Sequence, residues 1–287
     1  MRVAVLGANG QLARDLCPRL TGEVLPLTRA ELDLAVPESI EPAIAERKLD
    51  VVVNCAAYNF VDKAETEPEA AFRTNTWGVR ELARVCNMRS IRLVHVSTDY
   101  VFGLDKHVKQ PLSESVPAGP VSVYGASKLA GEFFVRSGCM NHLVIRTCGL
   151  YGVWGTGGKG GNFIETMLRI AGQGKPLKVV NDQYCTPTAT SDLAEAIVVL
   201  MHTNATGLFH LTSAGATTWH DLAAEAFKLS GIAADLTPIT SEQFSAPAKR
   251  PPYSVLDCGK AASLGVTLRP WQAALANYLE ARKNRAV

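Results

Sequence analysis

The sequence predicts an α/β fold: a doubly wound parallel sheet with a smaller C-terminal lobe. Three observations carry this. Short apolar runs alternate with helical stretches through the first half of the chain, a glycine turn joins the first run to the first helix, and a glycine-rich passage follows the fifth run. Short apolar strands alternating with helices imply a parallel sheet covered on both faces.

Taken in order, the apolar run Val3 to Leu6 is a first buried strand. It is too brief for a signal segment and ends in a glycine turn rather than a cleavage site. A helix is expected from Gln11 to Leu20, then strands at Val24 to Leu27 and Val51 to Cys55, a helix from about Glu67 to Cys86, and a strand at Leu93 to Ser97. The helix opening near Tyr124 leads to the strand Leu143 to Thr147. From Tyr151 to Asn162, six glycines in twelve positions predict a mobile loop at the carboxyl edge of the sheet, suited to covering substrate. An amphipathic helix near Asp192 to His202, a strand near Gly207 to Leu211, a helix near Trp219 to Ser230 and proline punctuation from Ala246 to Tyr253 complete the chain. The expected division is a sheet domain at 1–150, rejoined by about 190–213, with 151–189 and 214–287 forming a substrate-binding lobe.

Composition narrows the functional classes. At 287 residues, 47% hydrophobic and 20% charged, the chain can bury one large core or two joined ones. A net charge of +2 with scattered Lys and Arg lacks the basic cluster that nucleic-acid binding needs. No stretch approaches the roughly 18 apolar residues of a membrane span. Seven cysteines, odd in number and never spaced as CxxC, predict reduced thiols in a cytoplasm rather than a disulfide framework or a zinc site. The histidines are too dispersed for a ligand set. Asp15 reads as a solvated helix-face charge or as a metal-side carboxylate, so a divalent metal stays open, as does a homodimer.

Gly7-Ala8-Asn9-Gly10-Gln11-Leu12-Ala13 follows the first strand and opens a helix, the context of a Rossmann-type dinucleotide loop. Gly7 permits the tight turn, Gly10 lets the backbone approach a pyrophosphate at the helix N-terminus, and Ala13 stands where a third glycine is usual. Gly7, Asn9, Gly10, Gln11 and Leu12 are therefore candidate cofactor contacts. NAD sites place a carboxylate at the end of the second strand. Here Thr28-Arg29 stands there, which favours NADP(H) with NAD(H) tolerated, Arg29 facing a 2′-phosphate and Asp33 lying near the adenine end.

Tyr124 and Lys128 are four residues apart and share a helix face. A free tyrosine titrates near pH 10, and a neighbouring ammonium would pull that value toward the working range, so that the phenol can protonate a carbonyl while a hydride attacks its carbon.

Beyond these motifs, Asn54-Cys55-Ala56-Ala57-Tyr58, Val61-Asp62-Lys63-Ala64-Glu65, Asn75-Thr76-Trp77-Gly78, Ser97-Thr98-Asp99-Tyr100-Val101-Phe102, Arg146-Thr147, Asn162-Phe163, Val180-Asn181-Asp182-Gln183, Pro187-Thr188 and Arg250-Pro251 span nearly the whole chain. Together they resemble the dTDP-4-dehydrorhamnose reductase family of the extended short-chain dehydrogenase/reductase superfamily. The resemblance implies NADPH-dependent reduction of a nucleotide-sugar C4 ketone. It implies a triad of Thr98, Tyr124 and Lys128, with Lys128 also gripping the nicotinamide ribose. Ala56, Ala57 and Tyr58 would lie along the cofactor, and Asp99, Tyr100, Asn162, Asp182, Gln183 and Arg250 would shape the sugar-nucleotide end. An arginine suits a diphosphate.

Two departures bear on the sugar. Cys148-Gly149 replaces the family's Ser-Trp, which implies a gap in the sugar pocket, and Tyr184-Cys185-Thr186 replaces a segment that tends to carry glycine. A dehydratase of the superfamily would need a second carboxylate after Thr98, where Asp99-Tyr100 stands. A related reductase or epimerase acting on another 4-keto sugar stays open, as does a non-catalytic NADP-binding subunit like the regulatory subunit of methionine adenosyltransferase.

Overall fold

The computed structural model describes residues 1–155 and 161–285. Six parallel strands form the central sheet, in the order Glu23–Leu27, Arg2–Leu6, Val51–Asn54, Arg92–Thr98, His142–Thr147, Gly207–His210. The sequence order reverses about the first strand, which opens a crevice at the carboxyl edge where such sheets bind ligands.

Period-two alternation explains the two covered faces. Val3, Val5, Val51, Val53 and Ile145 point to one core, shared with Leu12 and Leu16 of the helix Gln11–Leu16 and Leu193 and Ile197 of the helix Thr190–Met201. Ala4, Leu6, Val52, Leu93 and Val144 point to the other, against Ile40 and Ile44, Leu82 and Cys86, and Val135. A third core joins the helices Phe163–Gly172, Trp219–Ser230 and Trp271–Arg285 through Ile164, Leu168, Leu222, Phe227, Trp271 and Leu275. Beside it Leu236–Ile239 pairs in parallel with Leu177–Val180.

Three local expectations change. The first helix stops at Leu16 and tightens into a 3₁₀ turn at Cys17–Arg19, because Pro18 cannot donate into a continued helix. The long helix expected from about Glu67 to Cys86 is Pro68–Phe72 and Val79–Met88 joined by a π-helical stretch, Arg73–Gly78, where a Cβ on Gly78 would press into the Leu34 carbonyl. Asp15 is not solvated: it is buried, accepting from Thr190 Oγ1 and from Trp154 Nε1 at 3.1 Å. Of the glycine-rich passage, residues 156–160 lie outside the described residues.

Candidate active site

The site is assembled by one strand end and one helix start. Thr98 ends the strand Arg92–Thr98, pairs with Thr147, and caps the turn Asp99–Val101 by accepting from Tyr100 N at 3.2 Å. Ser122 caps the helix Val123–Gly138, accepting from Gly125 N at 3.2 Å, so Tyr124 sits in its first turn and Lys128 one turn on. Both are buried. Gly125 permits this approach, since a Cβ there would strike the Tyr100 carbonyl.

Tyr124 has the Thr98 hydroxyl as a neighbour and packs edge-on to Tyr100 at 5.6 Å between ring centroids. Burial pushes the Tyr124 phenol up to about 12, against the Thr98 hydroxyl, which lowers it. The sequence expectation that Lys128 pulls this phenol down therefore needs correction. Nζ of Lys128 donates to Val96 O at 2.7 Å and lies 3.5 Å from His95 Nε2, and the same burial pushes Lys128 itself down to about 8. Burial, not the neighbouring Lys128, therefore sets the phenol's affinity for its proton.

Asp99 is buried, accepting from Ser254 Oγ at 2.6 Å and from Thr98 Oγ1 at 3.2 Å. Burial raises its pKa, opposed by hydrogen bonds from Ser254, Cys148 and Thr98.

A groove of about 460 Å³ runs along the sheet edge, lined by Gly7, Asn9, Gly10, Arg29, Asp33, Ala56, Ala57 and Tyr58. Gly7 adopts φ +77°, and a Cβ there would lie 2.9 Å from Ala56 N. The backbone of the first turn therefore lies directly against the third strand's exit. Gly10 caps the helix Gln11–Leu16 without a side-chain bond, leaving its first N–H groups for an anion. These features fit a dinucleotide. Arg29 is mostly exposed, paired with Asp33 at 2.9 Å across the groove's far end. Leu12 is buried in the core, and Gln11 reaches Leu150 O at 3.0 Å. Arg73 and Thr74, which sequence reasoning did not select, also line the groove. They come from the π-helical stretch, and no spacing rule signals them.

The remaining candidates scatter. Asp182 accepts from Ser241 N and Oγ, and Gln183 donates to Ser241 Oγ at 2.8 Å, so both organise the turn at Thr240. Asn162 is buried, caps Phe163–Gly172 through Glu165 N at 3.0 Å, and donates to Gly152 O. Arg250 is half-buried, ion-paired with Asp62 at 2.9 Å and donating to Ala248 O at 2.9 Å.

The pocket gap inferred at Gly149 is also corrected. Gly149 has φ +51°, and a Cβ there would lie 3.0 Å from the Trp219 ring and 3.3 Å from Pro187. Trp219, packed on Phe163 at 4.9 Å, occupies that neighbourhood.

A parallel sheet with a dinucleotide groove at its carboxyl edge, and a tyrosine and lysine one helical turn apart beside a strand-end threonine, defines the class: an NAD(P)H-dependent oxidoreductase of the extended short-chain dehydrogenase/reductase type. The chain belongs to the dTDP-4-dehydrorhamnose reductase family. Residues 1–284 match the family model described as RmlD substrate binding domain. The chain is 39% identical over 296 residues to a dTDP-4-dehydrorhamnose reductase of Streptomyces griseus, covering 99% of this chain and 95% of that one. It is 40% identical over 280 residues to a dTDP-4-keto-6-deoxy-D-glucose reductase of Streptomyces niveus, covering 96% and 95%. A Bacillus anthracis dTDP-4-dehydrorhamnose reductase solved in complex with NADP superposes with a TM-score of 0.91 at 32% identity, covering 98% of this chain and 99% of that one.

Proposed function

We propose that the protein reduces the C4 ketone of dTDP-4-dehydro-L-rhamnose to dTDP-L-rhamnose with NADPH. The observation that carries this is Thr98 at the sheet's carboxyl edge with Tyr124 and Lys128 one turn apart on the adjoining helix, on the same chain as the dinucleotide groove. NADPH, when bound, supplies the hydride. The Thr98 hydroxyl holds the ketone oxygen, and Tyr124 gives it a proton, which a phenol held near 12 still carries at neutral pH. Lys128 faces the cofactor's ribose from the same helix. Arg29 meets the 2′-phosphate, with its ion-pair partner Asp33 near the adenine end. Residues 1–150 and about 190–213 carry the cofactor, and 151–189 with 214–287 close on the sugar nucleotide. Cytoplasmic location and a homodimer are part of the same reading. Among the described residues, no helix is long and apolar enough to cross a membrane.

A second sugar is favoured by one specific feature. Relatives of nearly equal identity carry different sugar names. The deciding experiment follows NADPH oxidation with a panel of dTDP- and UDP-4-keto sugars, with both reduced cofactors and with Arg29→Ala. Turnover is expected on the dTDP-4-keto-6-deoxy hexoses, with NADPH preferred or equal to NADH. Arg29→Ala should shrink that preference. Absence of turnover on every 4-keto sugar would favour the non-catalytic, NADP-binding role.

A further inference from the structure

His95 is fully buried on the strand Arg92–Thr98, between Asn54 and Lys128, and no step above uses it. Its tautomer follows from its neighbours. Asn54 Oδ1 accepts from Ala56 N at 3.0 Å, which fixes the Asn54 amide so that Nδ2 faces His95 Nδ1 at 3.1 Å. Nδ1 must then accept, and a neutral ring carries its hydrogen on Nε2. That Nε2–H points at Lys128 Nζ, 3.5 Å away. An ammonium cannot accept it, but an amine can, while still donating to Val96 O at 2.7 Å. The donors run one way: Ala56 N–H to Asn54, Asn54 to His95, His95 to Lys128, Lys128 to Val96.

We propose that His95 is a positioning residue for Lys128: its Nε2–H meets the amine lone pair and readies Lys128 to return a proton to Tyr124 after each reduction. The proposal rests on the reductase reading. The proton balance closes. The Tyr124 O–H bond breaks as the ketone oxygen is protonated, a Lys128 N–H bond breaks as the phenol O–H re-forms, and solvent restores the ammonium. An N–H dipole aimed at Nζ opposes its charge and so lowers its hold on a proton.

Other groups facing Lys128 are few. Glu132, on the same helix, favours the ammonium, but its carboxylate is tied to Arg146 at 2.7 Å. Cys55, beyond the third strand, is held as a thiol by burial, and Tyr124 stays a phenol. His95 itself is kept neutral by burial and by Lys128.

The first test is on the wild type: ¹⁵N NMR of the imidazole should show the Nε2–H tautomer, and an Nδ1–H tautomer would overturn the proposal whatever the substrate proves to be. The second titrates Lys128 by its ¹³Cε shift. His95→Leu keeps the burial and removes the N–H, so the Lys128 midpoint should rise by about one pH unit, a tenfold gain in proton affinity. The alkaline limb of kcat should move with it, and the solvent deuterium isotope effect should grow while cofactor Kd stays fixed. His95→Gln presents Oε1 to Asn54 and an N–H to Lys128, and should restore the wild-type profile. An unchanged Lys128 midpoint in folded His95→Leu would show that His95 only fills space. A moved midpoint in an enzyme inert toward every keto sugar would indict the reductase reading instead.

Discussion

Burial acts oppositely on the two side chains that share the site's helix face, because it penalises the charged form of each. It holds Tyr124 as a phenol, near 12, and weakens the ammonium of Lys128, near 8. The phenol is therefore a competent acid throughout the neutral range without help from a nearby cation. Tyr124→Phe removes that proton and keeps the ring against Tyr100, so turnover should fall by about 10²–10⁴-fold with cofactor affinity nearly unchanged. Retention of more than a tenth of wild-type turnover would sink the role. Gly149 makes a different case. Its φ of +51° disfavours any side chain, and Trp219 stands 3.0 Å from where a Cβ would be. Gly149→Trp should therefore destabilise the protein instead of sharpening sugar selectivity, by about 1–3 kcal/mol as overpacking does. Urea unfolding measures this, and an unchanged midpoint would show that Trp219 moves aside freely.

At the scale of elements, the helix carrying Tyr124 is positioned by close backbone contact. A Cβ on Gly131 would press into the Asn75 carbonyl of the π-helical stretch. Asn75 in turn donates to Tyr58 O at 2.9 Å and to Ser127 Oγ at 3.0 Å, and accepts from Tyr58 N at 2.9 Å. One side chain thus ties the groove wall at Tyr58 to the middle of the catalytic helix. Gly131→Ala should cost about 1–3 kcal/mol of stability and raise KM for cofactor more than it lowers kcat. Thermal unfolding together with initial rates decides this, and a variant altered in neither has enough slack between the helices to refute the idea. The strands and the glycine turn were legible because short apolar runs and turn geometry are local. The π-helical stretch was not, since nothing in Arg73-Thr74-Asn75-Thr76-Trp77-Gly78 breaks a helical pattern. It is set by the tertiary contact of Gly78 with the Leu34 carbonyl. That Tyr124 and Lys128 share a helix face was legible through their spacing, and Thr98 was named through family resemblance. The direction in which Lys128 turns was not, because it depends on Val96 O and His95 of a neighbouring strand.

At the scale of the whole molecule, the sheet's outer strand is joined to the chain's middle through a buried histidine. His210 ends the strand Gly207–His210, donates through Nδ1 to Leu112 O at 3.0 Å, and packs edge-on to Phe102. Leu112 in turn bridges to Leu256, so one ring links the sheet edge, the segment after Phe102 and the C-terminal third. Burial and the nearby Arg146 push His210 down to about 4, from 6.5 in an unfolded chain. A base whose folded pKa is depressed binds its proton more readily when unfolded. Its contribution is therefore complete above pH 6.5 and is lost as pH falls toward 4. The 2.5-unit depression implied by those two values bounds the loss at about 3 kcal/mol. His95, also held neutral, adds in the same direction. Carboxylates depressed by their partners, such as Glu165 beside Arg282 and Tyr278, lose their contribution at lower pH, below about 4.5. Urea unfolding at pH 7 and pH 4.8 should thus show a fall in stability that His210→Gln, which cannot take up the proton, largely removes. An equal fall in wild type and variant would place the acid sensitivity elsewhere and deny His210 its part in joining the sheet edge to the rest of the fold.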